Sequence, residues 1–200
     1  MRHHSWSFAR KVREAERGVR MHIIAEKYEV VTELGVGGTG SVYLVRHIDL
    51  NVMFALKLLN RGLSDDERFI ERFRREAEVL LRFSHTNTTQ LRDFGRTEDG
   101  LYYLVMDYSD GVLLKEIIEQ DGPFPMKQAI TLCQQLLAVL TAAHEEGIVH
   151  RDVKPANIMV ENTGTGKEKV RVLDFGTALL KQHIEDDPDV LAVGDRKSVV

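Results

Sequence analysis

The stretch HRDVKPANIM, residues 150–159, is rich in polar residues, although apolar segments lie on both sides. GIV comes directly before it, and its last two residues begin the segment IMV. Its charged, imidazole and amide side chains are His150, Arg151, Asp152, Lys154 and Asn157. Such groups are costly to bury, because each needs a partner or water. The pattern therefore predicts a loop that lies between two core-facing segments and presents its polar groups to a ligand or to solvent.

Composition limits the classes of protein to consider. The chain has 200 residues, 43% of them hydrophobic, which is enough for one core or two small lobes. Its net charge is −4, so no nucleic-acid partner is expected. Residues 1–21 hold six Lys or Arg and two Glu, a net +4, which leaves −8 on the remainder. A short basic arm thus precedes an acidic domain.

Cys133 is the only cysteine, so no internal disulfide is possible and a cytoplasmic location is expected. Its place in ITLCQQLLAVL, with helical spacing of apolar residues, predicts a small core residue. No run approaches the roughly 18 apolar residues of a membrane helix. We therefore expect no membrane segment within this chain.

Residues 28–109 are predicted to form a five-stranded antiparallel sheet with one helix. YEVVTELG, SVYLVRHI and VMFALKLLN are strand-like, and two further strands flank a turn at Asp99-Gly100. SDDERFIERFRREAEVLLRF reads as a helix capped by Ser64. Its predicted apolar stripe is Phe69, Phe73, Ala77, Leu80 and Leu81.

The character of the chain changes near Ser109. Two helical segments follow, VLLKEIIEQ and a longer one that ends at Gly147, and then a strand pair made of IMVE and KVRVLDFG. We therefore divide the chain into a basic N-terminal extension (1–26), a small lobe with a hinge (27–109) and a partial large lobe (110–200).

The spacing Gly35-x-Gly37-x-x-Gly40-x-Val42 joins two predicted strands, whereas a dinucleotide fold needs such glycines to lead into a helix. A hairpin of this kind can lay backbone N–H groups over phosphates. An ordinary glycine-rich hairpin explains the same spacing, and this segment alone does not decide between them.

Lys57 is the only charge in MFALKLL and needs an anionic partner if it is buried. Glu76 is the candidate, because it shares the inward helix face of Phe73 and Leu80. The alternative is that Lys57 reaches solvent at the sheet edge and that Glu76 is a surface charge.

Oxygen ligands for a hard cation such as Mg²⁺ are available from Asn157 and Asp174. Asp152 could accept a hydroxyl proton, and Lys154 could neutralise a phosphoryl group. Turn, cap and core roles explain these residues equally well when each is taken alone.

Taken together, GVGGTGSV, FALK, HRDVKPAN and DFG occur in the order and spacing typical of protein kinases, and over residues 27–180 the chain resembles the bacterial-type serine/threonine protein kinases. The resemblance implies an α+β, protein-kinase-like bilobal fold. The small lobe would be complete, with its five-stranded sheet and one helix, and the helical large lobe incomplete.

By this resemblance, ATP and Mg²⁺ are the cofactors and a protein Ser or Thr hydroxyl is the acceptor, in a cleft between the lobes. The implied ATP-binding residues are Leu34, Gly35, Gly37, Gly40, Val42, Ala55, Lys57, Met106, Asp107, Ser109 and Met159. The implied catalytic residues are Asp152 as the base, Lys154, and Lys57 paired with Glu76. Asn157 and Asp174 would hold the metal.

Two features depart from the family pattern. Thr88 and Thr89, in HTNTT, stand where the family has buried apolar residues, and a buried hydroxyl needs a partner. The chain also ends 24 residues after Gly176 with no A-P-E segment. We therefore expect a kinase domain truncated after the DFG segment and inactive as the 200-residue chain alone. The alternatives are a nucleotide-binding pseudokinase or regulatory fragment without transfer activity, and a purely structural interaction module.

Overall fold

The computed structural model describes residues 23–173 and residue 175, without the side chains of Arg68, Arg72 and Glu76. The first 22 residues of the predicted extension, Asp174 and residues 176–200 lie outside it. The chain divides into two compact units. The described part of the first unit is residues 23–67 with 92–110, and that of the second is residues 68–91 with 111–173 and 175.

The first unit contains an antiparallel sheet with the order β1-β2-β3-β4-β6-β5. Its strands are β1 (Ile23–Ile24), β2 (Tyr28–Gly37), β3 (Gly40–His47), β4 (Met53–Leu59), β5 (Leu91–Arg96) and β6 (Tyr102–Asp107). The five predicted strands are confirmed, and so is the turn at Asp99-Gly100, where Gly100 has φ of 86°.

The sixth strand, β1, corrects the predicted count of five. It pairs with β2 through the three-residue loop 25–27, in which the turn residues Ala25 and Glu26 both have positive φ, 52° and 57°. Such turns normally carry Asn-Gly or Asp-Gly, so the dipeptide Ala-Glu carries no hairpin signal. Burial of Ile24, only 4% exposed, supplies the stabilisation that the turn residues do not.

One face of this sheet forms an apolar cluster of Ile24, Tyr28, Val45, Leu56, Tyr103 and Val105. The Tyr28 hydroxyl donates a 2.7 Å hydrogen bond to Asp93 Oδ2 on β5, which satisfies the phenol inside the cluster. Burial raises the pKa of Tyr28 well above its ordinary value, and the hydrogen bond to Asp93 and its charge act in the same direction.

The predicted helix start was wrong. Asn60 caps a separate turn, α1 (Arg61–Ser64), and the long helix α2 spans Glu67–Arg82. Ser64 does not cap α2, because it lies in the last turn of α1, where its Oγ accepts a hydrogen bond from Tyr102 N at 3.1 Å. The apolar stripe of α2 is confirmed at four of its five positions: Phe69, Phe73, Ala77 and Leu80 are buried, whereas Leu81 is 37% exposed.

The second unit also contains a three-stranded antiparallel sheet, in the order β7-β8-β9. Its elements after α2 are β7 (Val112–Leu113), α3 (Leu114–Asp121), α4 (Met126–Glu145), a 3-10 turn (Pro155–Asn157), β8 (Ile158–Glu161) and β9 (Lys169–Val172). The two helices and the strand pair were predicted. Gly147, with φ of 73°, follows the end of α4, as expected for a C-terminal glycine.

Helix α4 has two apolar faces, and the sequence did not show which one is buried. Leu132, Val139 and Ala143 are buried, and the helix packs on β9. Cys133 is exposed, so its prediction as a core residue was wrong. It lies next to Leu132, about 100° around the helix, and therefore falls outside the face that buries Leu132, Val139 and Ala143.

The HTNTT segment is attached to β9. Thr88 is 2% exposed, and its hydroxyl, which has one hydrogen to donate, lies 3.2 Å from both Val172 O and Thr89 O. Asn87 Nδ2 donates to Val170 O at 2.8 Å and to Gln135 Oε1 at 2.9 Å. The Thr89 hydroxyl also lies 3.4 Å from Val172 O. Both threonine hydroxyls that replace apolar side chains here thus have an acceptor, and the desolvation penalty of an unsatisfied hydroxyl does not arise.

Candidate active site

The glycine hairpin consists of the end of β2, the turn residues 38 and 39, and the start of β3, with Gly37 opposite Gly40 and Gly35 opposite Val42. Leu34 lies at a register irregularity just before it and is 38% exposed. The register shows that the predicted glycine pattern does join two strands.

The physical reason for glycine differs among the three positions of this hairpin. A Cβ at Gly40 would lie 2.0 Å from Leu58 O, and its φ is 143°, so β4 requires glycine there. A Cβ at Gly35 would meet nothing within 4 Å, and at Gly37 only Gly40 O at 4.0 Å. Contacts within the protein therefore do not explain Gly35 and Gly37, and the space beside them remains open to a ligand.

Four predicted nucleotide-binding residues share one face of the sheet. Val42 is opposite Lys57, and Ala55 is opposite Met106. Directly opposed residues in a sheet point to the same side, as do residues two apart on one strand. This side is opposite to the one that carries Leu56 and Val105 in the apolar cluster.

Lys57 is 4% exposed, a buried cation in an otherwise apolar strand. Burial rules out the alternative of a lysine that reaches solvent at the sheet edge. Its pairing with Glu76 stays a prediction, because the Glu76 side chain lies outside the described part of the structure.

The predicted hinge begins at Asp107, the last residue of β6, and continues to Ser109. Arg92 on β5 binds the Asp107 carboxylate with two hydrogen bonds, Nε to Oδ1 at 2.6 Å and Nη2 to Oδ2 at 3.0 Å. These bonds raise the pKa of Arg92 above its ordinary range. Burial, with the charge of Asp110, likewise raises the pKa of Tyr108. The pairing of Asp107 with Arg92 holds the end of β6, where the predicted hinge begins.

The polar loop of the second unit brings Asp152, Lys154 and Asn157 together. Lys154 Nζ lies 2.8 Å from Asp152 Oδ2. Asn157 Nδ2 donates to the same Oδ2 at 3.0 Å and to Asp152 O at 2.9 Å. Because both amide hydrogens point at Asp152, the ligand atom that Asn157 can offer to a cation is its amide oxygen.

His150, at the start of the loop, is 1% exposed and anchors the loop to the segment after β9. Its Nε2 hydrogen-bonds to Leu173 O at 2.9 Å, and its ring lies 4.6 Å from that of Phe175. Leu173 N in turn donates to Asn157 O at 2.9 Å. Both backbone polar groups of the residue before Asp174 are thus bound to the loop, although Asp174 itself lies outside the described residues.

Met159, another of the predicted ATP-binding residues, lies on β8 of the second unit, where it pairs with Leu113 and Arg171. A Cβ added to Gly111 would lie 2.6 Å from Met159 Cγ, so the Met159 side chain packs tightly against the backbone at Gly111. Within residues 23–173 and 175, no group of three or more His, Cys, Asp or Glu side chains has a metal-binding arrangement. In the same residues, no helix is long and apolar enough to cross a membrane.

Comparison with known proteins identifies the class. The family model of the protein kinase domain matches residues 28–192, and the chain therefore belongs to the protein kinase family. Family members in general use ATP and a divalent metal ion and act on proteins. The six-stranded small sheet with α2 is in keeping with this α+β fold.

Curated relatives are bacterial serine/threonine kinases. The chain is 38% identical over 171 residues to serine/threonine-protein kinase pkn3 of Myxococcus xanthus, covering 86% of this chain and 31% of the relative. It is 39% identical over 155 residues to PrkC of Bacillus subtilis, covering 78% and 23%, and 40% identical over 158 residues to PknB of Mycobacterium leprae, covering 78% and 25%. The chain thus spans less than a third of the length of these relatives.

Solved structures give the same class. A point mutant of the Mycobacterium tuberculosis PknI kinase domain superposes with a TM-score of 0.67 at 30% identity, over 80% of this chain and 63% of that chain. The unmutated PknI kinase domain gives 0.67 at 31% identity, with the same coverage of both chains.

Proposed function

We propose that the chain binds Mg·ATP and transfers the γ-phosphoryl group to a Ser or Thr hydroxyl of a protein substrate. The observation that carries this proposal is the cluster in which Lys154 and Asn157 both contact Asp152 Oδ2. A carboxylate held by two donors has a fixed orientation, which a residue needs if it is to receive a hydroxyl proton in one geometry.

The residues present fit the nucleotide. The hairpin has open space at Gly35 and Gly37, where its backbone N–H groups would bind phosphate oxygens. Lys57 is a buried cation on the same sheet face as Val42, Ala55 and Met106. Lys57 would hold the α/β-phosphates, and the three apolar residues would line the adenine site. Met159 would contact the other side of the adenine, and the backbone of Asp107 to Ser109 would hydrogen-bond its edge.

The residues also fit a magnesium ion. The Asn157 amide oxygen and the Asp174 carboxylate are hard oxygen donors of the kind Mg²⁺ accepts beside phosphates. When bound, the ion would neutralise charge on the phosphates. Glu76 would hold Lys57 in place by an ion pair, as the sequence predicts.

Asp152 would orient the acceptor hydroxyl and take its proton while the hydroxyl oxygen forms a bond to the γ-phosphorus. The bond from that phosphorus to the ADP oxygen breaks, and ADP leaves with the electron pair. Lys154 would place its ammonium beside the transferring group, whose charge it offsets.

Calorimetry with Mg·ATP tests the binding half of this proposal. Lys57→Met and Asp174→Asn should each weaken binding, because each removes a charge that acts on the phosphates or their metal. Lys115→Met, the same change at an exposed lysine paired with Glu119 on α3, serves as the matched control. Equal affinity in the wild type and both site variants would contradict the assignment.

A radiolabel assay tests the transfer half. Phosphate incorporation into a Ser/Thr-containing acceptor protein is measured with the chain itself and with a chimaera that adds the part of the PknI kinase domain that the chain does not match. The proposal is supported if either protein transfers phosphate and Asp152→Asn abolishes that transfer. Mg·ATP binding without transfer in both proteins would indicate a nucleotide-binding pseudokinase.

A further inference from the structure

Asn60, between β4 and α1, contacts the turn of the glycine hairpin with both its side chain and its backbone. Its Nδ2 donates to Gly38 O at 2.8 Å, and its backbone N donates to Thr39 O at 3.1 Å. Its Oδ1 accepts a hydrogen bond from Leu63 N at 3.0 Å and so caps α1. One residue therefore joins the hairpin turn to the start of a helix.

These bonds fix the orientation of two successive peptide groups. The carbonyls of Gly38 and Thr39 are both directed at Asn60, and Gly40 is held against β4, opposite Leu59. A carbonyl oxygen turned towards a phosphate would repel it, whereas an N–H would bind it. By holding two carbonyls, Asn60 limits the ways in which the turn can present acceptors to an anion.

The turn needs such a restraint because glycine occupies positions 37, 38 and 40. Glycine loses more conformational freedom on ordering than any other residue. A loop that becomes ordered only when the ligand arrives lowers the affinity by that cost, and a loop ordered beforehand does not.

We propose that Asn60 is a positioning residue for nucleotide binding, which orders the glycine turn through its Nδ2–H···O=C bond to Gly38. This inference rests on the proposed binding of Mg·ATP and adds a residue outside the glycine pattern itself. The one signal in the sequence is an Asn directly after a strand, but the helix cap was predicted four residues later, at Ser64.

The two roles of the Asn60 side chain can be separated chemically. Serine is about as good a helix cap as asparagine, but its side chain carries no amide donor to reach Gly38 O. Alanine removes both the cap and the bond to the turn. Asn60→Ser therefore tests the contact with the hairpin, and Asn60→Ala adds the loss of the cap. Asp65→Asn is the control, because Asp65 is exposed at the other end of α1.

Three measurements are made on the full 200-residue chain: Mg·ATP affinity by calorimetry, the thermal midpoint, and hydrogen exchange of the peptide that covers residues 36–41. Asn60→Ser should raise the Mg·ATP Kd about 2- to 10-fold, the range for loss of one hydrogen bond. It should also speed exchange in the turn and keep the thermal midpoint close to that of the wild type. Asn60→Ala should show the same Kd with a lower midpoint, and Asp65→Asn should leave both the Kd and the exchange unchanged.

Each outcome bears on the inference. An unchanged Kd in Asn60→Ser, with the wild type binding Mg·ATP, overturns it. Unchanged exchange in the turn overturns it as well, whether or not nucleotide binds. If the wild type does not bind Mg·ATP at all, the proposed function fails first, and faster exchange in Asn60→Ser then leaves the contact as a structural restraint without a role in binding.

Discussion

Asp152 is the residue at which binding and chemistry should separate. It contacts Lys154 and Asn157 on the polar loop, whereas the phosphate contacts are proposed for Lys57 and the glycine hairpin. In the chimaera, Asp152→Asn should lower kcat about 10²- to 10⁴-fold, the usual contribution of a general base. The Mg·ATP Kd should change far less, because the carboxylate would act on the acceptor hydroxyl.

Steady-state kinetics and calorimetry on the same preparation check this split. Asp99→Asn, the same change at an exposed turn residue, provides the control. Wild-type turnover in Asp152→Asn would rule out the role of Asp152 as the base.

Tyr28 gives a prediction on stability that is independent of catalysis. Burial and Asp93 raise its pKa above the ordinary value of 10.0, so above about pH 10 the unfolded chain releases a proton that the folded chain keeps. Its contribution to stability is therefore fully present below about pH 10 and is lost as the pH rises further. Each proton that only the folded chain retains lowers the unfolding free energy by about 1.36 kcal/mol per pH unit.

Urea unfolding between about pH 9 and pH 11.5 measures that slope. Tyr28→Phe should make the fall in unfolding free energy shallower. Tyr103, whose pKa burial and Asp93 also raise, should account for a further part of the slope. The same pH dependence in wild type and Tyr28→Phe would contradict the assignment.

At the scale of elements, the sequence predicted those with a periodic pattern of apolar residues and missed those that depend on a single residue. The long strands and α2 carry several apolar residues at the right period, and their types were correct. Strand β1 has only two residues and a turn without the usual turn residues, so burial of Ile24 decides it. The start of α2 was misplaced because Asn60 caps a separate turn before it.

The candidate site divides in the same way. The polar loop was predictable, because its residues are close in sequence, and the structure brings Asp152, Lys154 and Asn157 into contact. Asn60 was missed, because its partners Gly38 and Thr39 lie more than 20 residues away. Sequence patterns report local spacing, whereas a contact across a hairpin depends on the register, which only the folded sheet supplies.

The glycine hairpin should respond differently at its two ends. Gly40→Ala should lower the unfolding free energy by about 2 kcal/mol or more, because its Cβ would meet Leu58 O and its φ is positive. Gly35→Ala should change it by no more than about 1 kcal/mol. Nevertheless, its methyl group would occupy the open space proposed for phosphates, so Mg·ATP affinity should fall.

Urea unfolding and Mg·ATP calorimetry on both variants check this contrast. Gly122→Ala, at a glycine with positive φ after α3 and far along the chain from the hairpin, controls for backbone strain alone. Full Mg·ATP affinity in Gly35→Ala would show that the open space is not used by the nucleotide.

On the scale of the whole molecule, each unit carries its own part of the predicted site. Val42, Ala55, Lys57 and Met106 belong to the first unit, and Asp152, Lys154, Asn157 and Met159 belong to the second. The residues of the first unit share one sheet face, and Asp152, Lys154 and Asn157 come together in one loop of the second, whereas Met159 lies on β8. Glu76 and Asp174 stay predictions, since the side chain of Glu76 and the whole of Asp174 lie outside the described part of the chain.

The surface of α4 leads to the last prediction. Met126, Ile130 and Leu137 are 77%, 50% and 62% exposed, and with Cys133 they recur at helical spacing along one face. A contiguous apolar face of this kind promotes association. The chain should therefore associate as its concentration rises, and the double variant Ile130→Gln/Leu137→Gln should associate less at an unchanged thermal midpoint. On the buried face, Leu132→Ala should instead lower the unfolding free energy by about 2–5 kcal/mol.

Sedimentation velocity over a concentration series measures the association, and thermal unfolding measures the midpoint. The two faces of one helix thus serve as controls for each other, because the exposed face should affect only association, whereas Leu132 contributes to the core. A double variant that associates as strongly as the parent would show that another surface is responsible, since the substitutions replace the apolar side chains at the centre of this face with amides.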